Sequence, residues 1–406
     1  MNTKTVCVVG LGYIGLPTAA LLASNGYHVV GVDLNAHAVD TINQGRIHIV
    51  EPDLDAFVRS AVAAQRLTAF TTPQAGDIYM ICVPTPFHED EAIPRPNIDY
   101  VLAATRSIAP FVKADDLVIL ESTSPVGTTD AMAEVLAQAG VDVASIHMAY
   151  CPERVLPGKI MTELVENDRV VGGLTPAATE AVAAFYRTFV HGEVLETDAR
   201  TAEMCKLTEN SFRDVNIAFA NELSMICEKE RIDVWSLIRL ANRHPRVNIL
   251  QPGAGVGGHC IAVDPWFIVS RNPERARLIR SAREVNNGKT DWVIERIKIA
   301  AADASARLGR KPRVACLGLA FKPDIDDLRE SPAMHVAQTL ASAGYDVVAV
   351  EPNIELHDTL VLAPLDDALR SADVLAVLVK HRQFLEGSTK RALTEAGALD
   401  FCGALV

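Results

Sequence analysis

Gly255-Val256-Gly257-Gly258-His259-Cys260 places a thiol just after three glycines in four positions. Glycines let backbone close on a bulky ligand and present unblocked N–H donors. A thiolate needs such donors, or a nearby cation, to lower its pKa. Cys260 is therefore a candidate nucleophile, whereas most cysteines only fill space in a core. His259 either polarises the same site or is an ordinary structural histidine. Lys206, Asn210 and Arg213 follow one another at i, i+4 and i+7 and share one helix face. Such a stripe is either solvated surface or the polar wall of a cleft. Its neighbours Met204, Cys205, Leu207 and Phe212 point to partial burial. Asp264 comes four residues after Cys260, but Pro265 disfavours a helical conformation for it, so no shared helical face is expected. Glu153, in Tyr150-Cys151-Pro152-Glu153-Arg154, is either a cleft residue or an ordinary loop charge.

A second constellation handles phosphate. Gly10-Leu11-Gly12-Tyr13-Ile14-Gly15 follows a strand-like run and opens a helix-like one. The first glycine permits a tight turn, the second lets backbone approach a pyrophosphate, and the third lets the helix pack on the sheet. The helix N-terminus then offers N–H groups and the positive end of its dipole. Asp33 stands 18 residues after Gly15, at the end of the next strand. A carboxylate there accepts from a ribose 2′-OH and repels a 2′-phosphate, so NAD is expected rather than NADP. Thr85, in Val83-Pro84-Thr85-Pro86, and Thr123, in Glu121-Ser122-Thr123-Ser124-Pro125, follow two further strands. Carboxyl ends of parallel strands line ligand clefts, so these hydroxyls are candidates for contact with cofactor or water, or else plain turns.

Elements of two kinds must hold these groups. Strand candidates Thr5–Val9, His28–Val32, Asp77–Val83 and Asp116–Leu120 alternate with helix-like segments such as Leu16–Asn25, for which Gly26 is the stop. A second β–α series carries strand candidates Arg313–Leu317, Asp346–Val350 and Val374–Val379, spaced by about 30 residues. Between the series, Ala202–Arg231 has helical periodicity without Gly or Pro, and its 30 residues would span roughly 45 Å. The expected fold is α/β, with two Rossmann-like doubly wound domains joined by a long central helix. The expected division is residues 1–198, 199–298 and 299–406.

Composition narrows the class. The 406 residues are 49% hydrophobic and 22% charged, which excludes a disordered chain. With 38 Lys and Arg against 51 Asp and Glu, the net charge is −13, so neither nucleic acid nor an anionic membrane is an expected partner. The apolar run after Lys4 is broken by Gly10, Gly12, Gly15 and Pro17, unlike a secretory signal. No run reaches the ~18 apolar residues of a membrane span. The eight cysteines show no C-x-x-C spacing, so no metal site is expected. Their position in apolar runs suits a reducing compartment, read as cytoplasmic.

Taken together, these segments resemble the UDP-sugar dehydrogenase family, also called the UDP-glucose/GDP-mannose dehydrogenase family, from Val6 to about Val379. Cys260-Ile261-Ala262-Val263-Asp264 and Pro152-Glu153-Arg154 depart from the UDP-glucose branch and are similar to the N-acetylhexosamine branch. Arg154-Val155-Leu156-Pro157-Gly158, Lys206 through Glu222, and Arg243-His244-Pro245-Arg246-Val247-Asn248-Ile249 resemble the members of that branch that act on UDP-N-acetyl-D-mannosamine. UDP-N-acetylglucosamine and UDP-glucose dehydrogenation remain the alternatives, with a non-catalytic nucleotide-sugar or NAD-binding regulator as a third.

The resemblance implies a four-electron oxidation of the sugar C6 alcohol with two NAD⁺, through a Cys260 thiohemiacetal and thioester. It implies catalytic roles for Cys260, Lys206, Asn210 and Asp264, with Glu153 and Thr123 as helpers. It implies nucleotide-sugar contacts from Arg154, Val155, Lys206, Asn210, Arg213, His244, Arg246, Gly257, Phe321 and Lys322. For the cofactor it points to Arg329 beside Gly10, Gly12, Tyr13, Ile14, Gly15, Asp33, Thr85 and Thr123. It also implies a homodimer built on the long helix and a place in surface polysaccharide precursor synthesis.

Overall fold

The structure is a computed structural model that describes residues 4–88, 93–156, 158–258 and 260–406. Pro157 and His259, both singled out above, lie outside the described residues. The chain divides into two compact units, Met1–Thr208 and Glu209–Val406.

In the first unit, eight strands form one sheet: β1 (Thr5–Val9), β2 (His28–Val32), β3 (Leu67–Phe70), β4 (Ile78–Ile81), β7 (Leu117–Leu120), β8 (His147–Tyr150), β9 (Arg169–Gly173) and β10 (Val194–Asp198). Two-residue strands β5 (Phe87–His88) and β6 (Arg95–Pro96) pair apart from it. The sheet order is β10-β9-β8-β7-β4-β1-β2-β3. Successive residues of β1 face opposite ways: Val6 and Val8 enter one apolar cluster, Cys7 and Val9 another. A strand buried on both faces reads as a continuous apolar run, which is why β1, β4 and β7 were visible in the sequence.

Six strands, from β3 across to β8, are parallel as expected. The last two are not. Ala149 and Tyr150 of β8 pair antiparallel with Gly173 and Gly172 of β9, and β10 follows β9 in parallel. Apolar content marks a strand but not its direction, so this reversal carries no signal in the residue pattern.

In the second unit, β11 (Arg313–Leu317), β12 (Asp346–Val350), β13 (Val374–Val377) and β14 (Leu399–Asp400) form a parallel sheet ordered β12-β11-β13-β14. It too is covered on both faces, with Val314 and Cys316 in one cluster and Ala315 and Leu317 in another. The fold class is therefore as the sequence indicated.

The long helix runs Ala199–Glu230, 32 residues or roughly 48 Å, and carries the chain from one unit into the next. It ends where Arg231 turns left-handed, at φ 58°. A second 32-residue helix, Arg277–Leu308, was not singled out in the sequence and stops at Gly309, φ 65°. Among the described residues, no helix is long and apolar enough to cross a membrane.

Candidate active site

The turn after β1 is built around Gly10, whose φ of 93° is costly for any residue with a Cβ. Gly10 N donates to Val32 O at 2.8 Å and Leu11 N donates to Asp33 Oδ2 at 2.9 Å. A Cβ on Gly15 would overlap Gly10 O, so the third glycine lets the helix Gly15–Ser24 close on the strand. At Gly12, by contrast, an added Cβ would meet nothing within 4 Å, so the backbone there faces open space. Tyr13 is exposed, Ile14 is half-buried, and the first turn of the helix holds no acidic residue to repel an anion.

Asp33 also accepts from Asn35 N at 2.9 Å through Oδ1, which leaves each carboxylate oxygen with spare acceptor capacity for a ribose hydroxyl. Thr85 Oγ1 donates to Thr123 O at 2.6 Å, and Ser122 Oγ donates to Val83 O at 2.7 Å. These bonds lace the loops after β4 and β7 together. The donors and open backbone fit a dinucleotide: an unobstructed phosphate-facing turn and an acid at the ribose position.

Also in this unit, Lys206 Nζ donates to the main-chain carbonyl of Glu153 at 2.9 Å. Glu153 is buried, and its side chain accepts from Arg154 N at 2.8 Å and Arg169 at 2.5 Å. The Arg154 guanidinium donates to Asp168 O at 3.2 Å, and Val155 packs against the apolar core. The loop they begin is held by Glu51, which accepts from Gly158 N and Ile160 N at 2.8 Å each. Sequence reasoning missed Glu51 and Arg169, because both lie far along the chain from the motifs they support. Glu121 carries no local signal beyond its place in the turn after β7. Burial, then the nearby charge of Glu153, push its carboxyl up to about 7 against the pull of Arg169.

In the second unit, Asn210 Nδ2 donates to Asp264 Oδ2 at 2.5 Å, and both residues are buried. The expectation that Pro265 keeps Asp264 out of a helix is not met. The helix Asp264–Arg271 begins there with proline in its first turn, where the missing N–H has no helical partner to lose. Asp264 N donates to Cys260 O at 2.8 Å, so nucleophile candidate and acid stand one turn apart.

Of the eight cysteines, Cys260 is the exposed one. Burial pushes the thiols of Cys7, Cys151 and Cys316 up to about 11, 12 and 12, away from thiolate chemistry. The glycines before Cys260 are contact positions. A Cβ on Gly255 would strike Thr290 Oγ1, one on Gly257 would strike Glu330 O, and one on Gly258 would lie 2.8 Å from the Phe321 ring.

The loop is also anchored by polar residues that carried no sequence signal. Gly253 N donates to Asn221 Oδ1, Asn221 donates to Asn286, and Asn286 and Arg283 both donate to buried Asp214. Of the remaining candidates, Lys322 is half-buried. Arg213, His244, Arg246 and Arg329 are exposed. Arg329 forms a fork on Asp327 at 2.7 and 2.8 Å, and Arg246 N donates to His244 Nδ1 at 3.3 Å.

Comparison with known proteins accords with this chemistry. Residues 4–190 match the NAD binding domain of the UDP-glucose/GDP-mannose dehydrogenase family, residues 200–288 its central domain and residues 315–405 its UDP binding domain. The chain is 58% identical over 402 residues to a UDP-N-acetyl-D-mannosamine dehydrogenase of Yersinia pestis, covering 95% of each. It is 55% identical over 405 residues to an NDP-N-acetyl-D-galactosaminuronic acid dehydrogenase of Ralstonia nicotianae, covering 96% of this chain and 94% of the relative. Among solved structures, the UDP-N-acetyl-mannosamine dehydrogenase Cap5O from S. aureus superposes with a TM-score of 0.86 at 44% identity, covering 94% of this chain and 90% of that one. The dinucleotide turn, the glycine-backed thiol and these matches over nearly the whole length place the chain in the UDP-glucose/GDP-mannose dehydrogenase family of NAD-dependent nucleotide-sugar dehydrogenases.

Proposed function

We propose that the chain oxidises C6 of UDP-N-acetyl-D-mannosamine to the carboxylate, giving UDP-N-acetyl-D-mannosaminuronate. The observation that carries this reading is the exposed Cys260, one helical turn from an Asp264 that is itself bonded to Asn210, in a chain 58% identical to a dehydrogenase of that sugar. Bound NAD supplies the hydride acceptor for both oxidations. Gly10, Gly12, Tyr13, Ile14, Gly15, Asp33, Thr85, Thr123 and Arg329 would hold it.

The Cys260 thiolate adds to the C6 aldehyde left by the first oxidation, giving a thiohemiacetal. The second oxidation yields a thioester, and water releases the acid and the thiol. Each tetrahedral stage develops an oxyanion, which Lys206 and Asn210 are suited to stabilise. Asp264 orients or activates water, with Glu153 and Thr123 as helpers. Arg154, Val155, Arg213, His244, Arg246, Gly257, Phe321 and Lys322 bind the nucleotide-sugar. Arginine suits the diphosphate because its fork matches the oxygens.

The match to a galactosaminuronic acid dehydrogenase favours a second reading, oxidation of the corresponding N-acetylgalactosamine nucleotide. A panel of UDP-N-acetylmannosamine, UDP-N-acetylgalactosamine, UDP-N-acetylglucosamine and UDP-glucose, followed by NADH release, decides among them. Two NADH per sugar and the highest kcat/KM on UDP-N-acetylmannosamine are expected. A higher kcat/KM on another sugar, or binding without turnover, overturns the reading.

We further propose a cytoplasmic homodimer serving surface polysaccharide precursor synthesis, divided at residues 1–198, 199–298 and 299–406. Support for the dimer comes from Phe212, Phe219 and Ile226, which recur every seven residues on the long helix and are 68%, 52% and 48% exposed. A seven-residue apolar repeat presents one seam to a partner helix. Phe219→Glu should give a monomer by light scattering if this seam is the interface.

A further inference from the structure

Behind Glu153 lies a buried polar chain that the proposed chemistry does not use. Both carboxylate oxygens of Glu153 are occupied, Oε1 by Arg154 N and Oε2 by Arg169, in an ion pair whose side chains are 5% and 2% exposed. Arg169 opens β9 and also donates to Leu164 O at 3.0 Å. Its guanidinium carbon lies 5.4 Å from the centre of the Tyr186 ring. Tyr186 OH donates to Glu121 Oε1 at 2.7 Å, and the Cys82 thiol to Glu121 Oε2 at 3.2 Å. At the other end, the carbonyl of Glu153 takes the Lys206 ammonium. Glu121, Tyr186 and Arg169 are buried, so none of them can reach a substrate.

We propose that Arg169 is a positioning residue of the dehydrogenase reaction, clamping the Glu153–Arg154 peptide so that its carbonyl aims the Lys206 ammonium. This rests on the reading above that Lys206 stabilises the oxyanion. Lysine is a compact charge on a flexible stem, so its point of action must be fixed by something else. A neutral carbonyl does this without cancelling the charge, and it leaves two N–H groups for the oxyanion.

The carbonyl can serve only if its peptide does not swing, and the Glu153 side chain, gripped at both oxygens, is what holds it. The charges around the clamp fit this role. Glu121, Glu153, Arg169, Tyr186, Cys82 and Cys151 are the titratable groups packed together here, and two carboxyls share one guanidinium. Below about 7, the proton retained by Glu121 leaves Arg169 to Glu153.

Arg169→Lys and Tyr186→Phe, each compared with the wild-type enzyme on its best nucleotide-sugar, test the proposal. Arg169→Lys keeps the charge but loses the two-sided grip. Its kcat is expected to fall roughly 10- to 100-fold, the scale of a misplacement of about 1 Å, with KM for NAD held within about threefold. KM for the nucleotide-sugar should likewise stay within about threefold, because the substrate contacts remain and only the aim of Lys206 is lost. A purely structural role would raise KM for NAD and lower the melting temperature along with kcat, rather than lower kcat alone.

If Arg169→Lys does not fold, Tyr186→Phe, which keeps the ion pair and removes only a hydroxyl, carries the test with a smaller fall in kcat and the same unchanged KM values. A folded variant with wild-type kcat, or one whose KM for NAD rises as kcat falls, overturns the proposal. Failure of the wild type to oxidise any sugar of the panel overturns instead the functional reading on which it rests.

Discussion

Asn210 donates to Asp264 at 2.5 Å, and the pair joins the long helix to the helix that begins one turn after Cys260. Both side chains are buried, at 8% and 2% exposure, so water does not compete for this bond. Asp264→Asn is nearly isosteric and keeps an acceptor for Asn210. It should melt close to the wild type while kcat falls by roughly 10²–10³-fold, the usual cost of losing a group that assists proton transfer. Asn210→Asp instead sets two buried carboxyls face to face and should lower the melting temperature as well. A fully active Asp264→Asn enzyme would remove Asp264 from the reaction.

Cys260→Ser tests the covalent step. The change removes a thiol at an exposed position, so the fold and NAD binding should be unaffected. A hydroxyl is a far weaker nucleophile at neutral pH, so acid formation should drop by at least about 10³-fold. Quantifying NADH and sugar acid separately checks this. Acid released at the wild-type rate would sink the thioester route.

The raised carboxyl of Glu121 predicts a pH signature in stability. Its ordinary value of 4.5 applies to the unfolded chain, and burial with the charge of Glu153 lifts it to about 7 in the fold. Between these values the unfolded chain has lost the proton while the folded chain retains it, so stability falls as pH rises through the window and levels off above about 7. Glu121→Gln carries no titrating group and should lose less stability than the wild type between pH about 5 and about 8. Parallel melting curves for the two proteins would show that Glu121 ionises normally.

What the sequence revealed divides along physical lines. The first dinucleotide turn was legible because its glycines and Asp33 act within a short stretch, and the structure ties them by the bond from Leu11 N to Asp33. The second unit repeats the device unannounced. Gly318 has a φ of 88°, its N donates to Val350 O at 2.8 Å, and Leu319 N donates to Glu351 Oε2 at 2.7 Å. Here Glu351 also takes Ala320 N, His381 Nε2 and both nitrogens of Asn353, so little capacity is left for a ribose. That difference depends on His381 and Asn353, which no local pattern connects to Leu319. The clamp of Arg169 on Glu153 and the tie from Asn221 to Gly253 escaped for the same reason. Each partner alone reads as an ordinary polar residue, and only the fold brings them together.

Lys289 predicts the opposite pH trend from Glu121. It is buried on the helix Arg277–Leu308, donates to Ser224 Oγ at 2.7 Å and lies 3.7 Å over the Trp292 ring. The ring face favours an ammonium, but burial dominates and pushes the group from 10.5 down to about 7, with Glu228 pulling weakly the other way. Above about 7 the folded chain has released the proton while the unfolded chain keeps it up to 10.5, so stability rises with pH across that window, and the full cost of the buried charge is borne below it. Lys289→Met removes the titration. Ser224 Oγ still donates to Asn221 O at 2.6 Å, so no hydroxyl is stranded. The variant should therefore gain on the wild type at neutral pH and lose that advantage as pH approaches 10.5, measured by thermal melts across the range. A constant difference between the two proteins would mean that Trp292 and Ser224 keep the ammonium charged inside the fold.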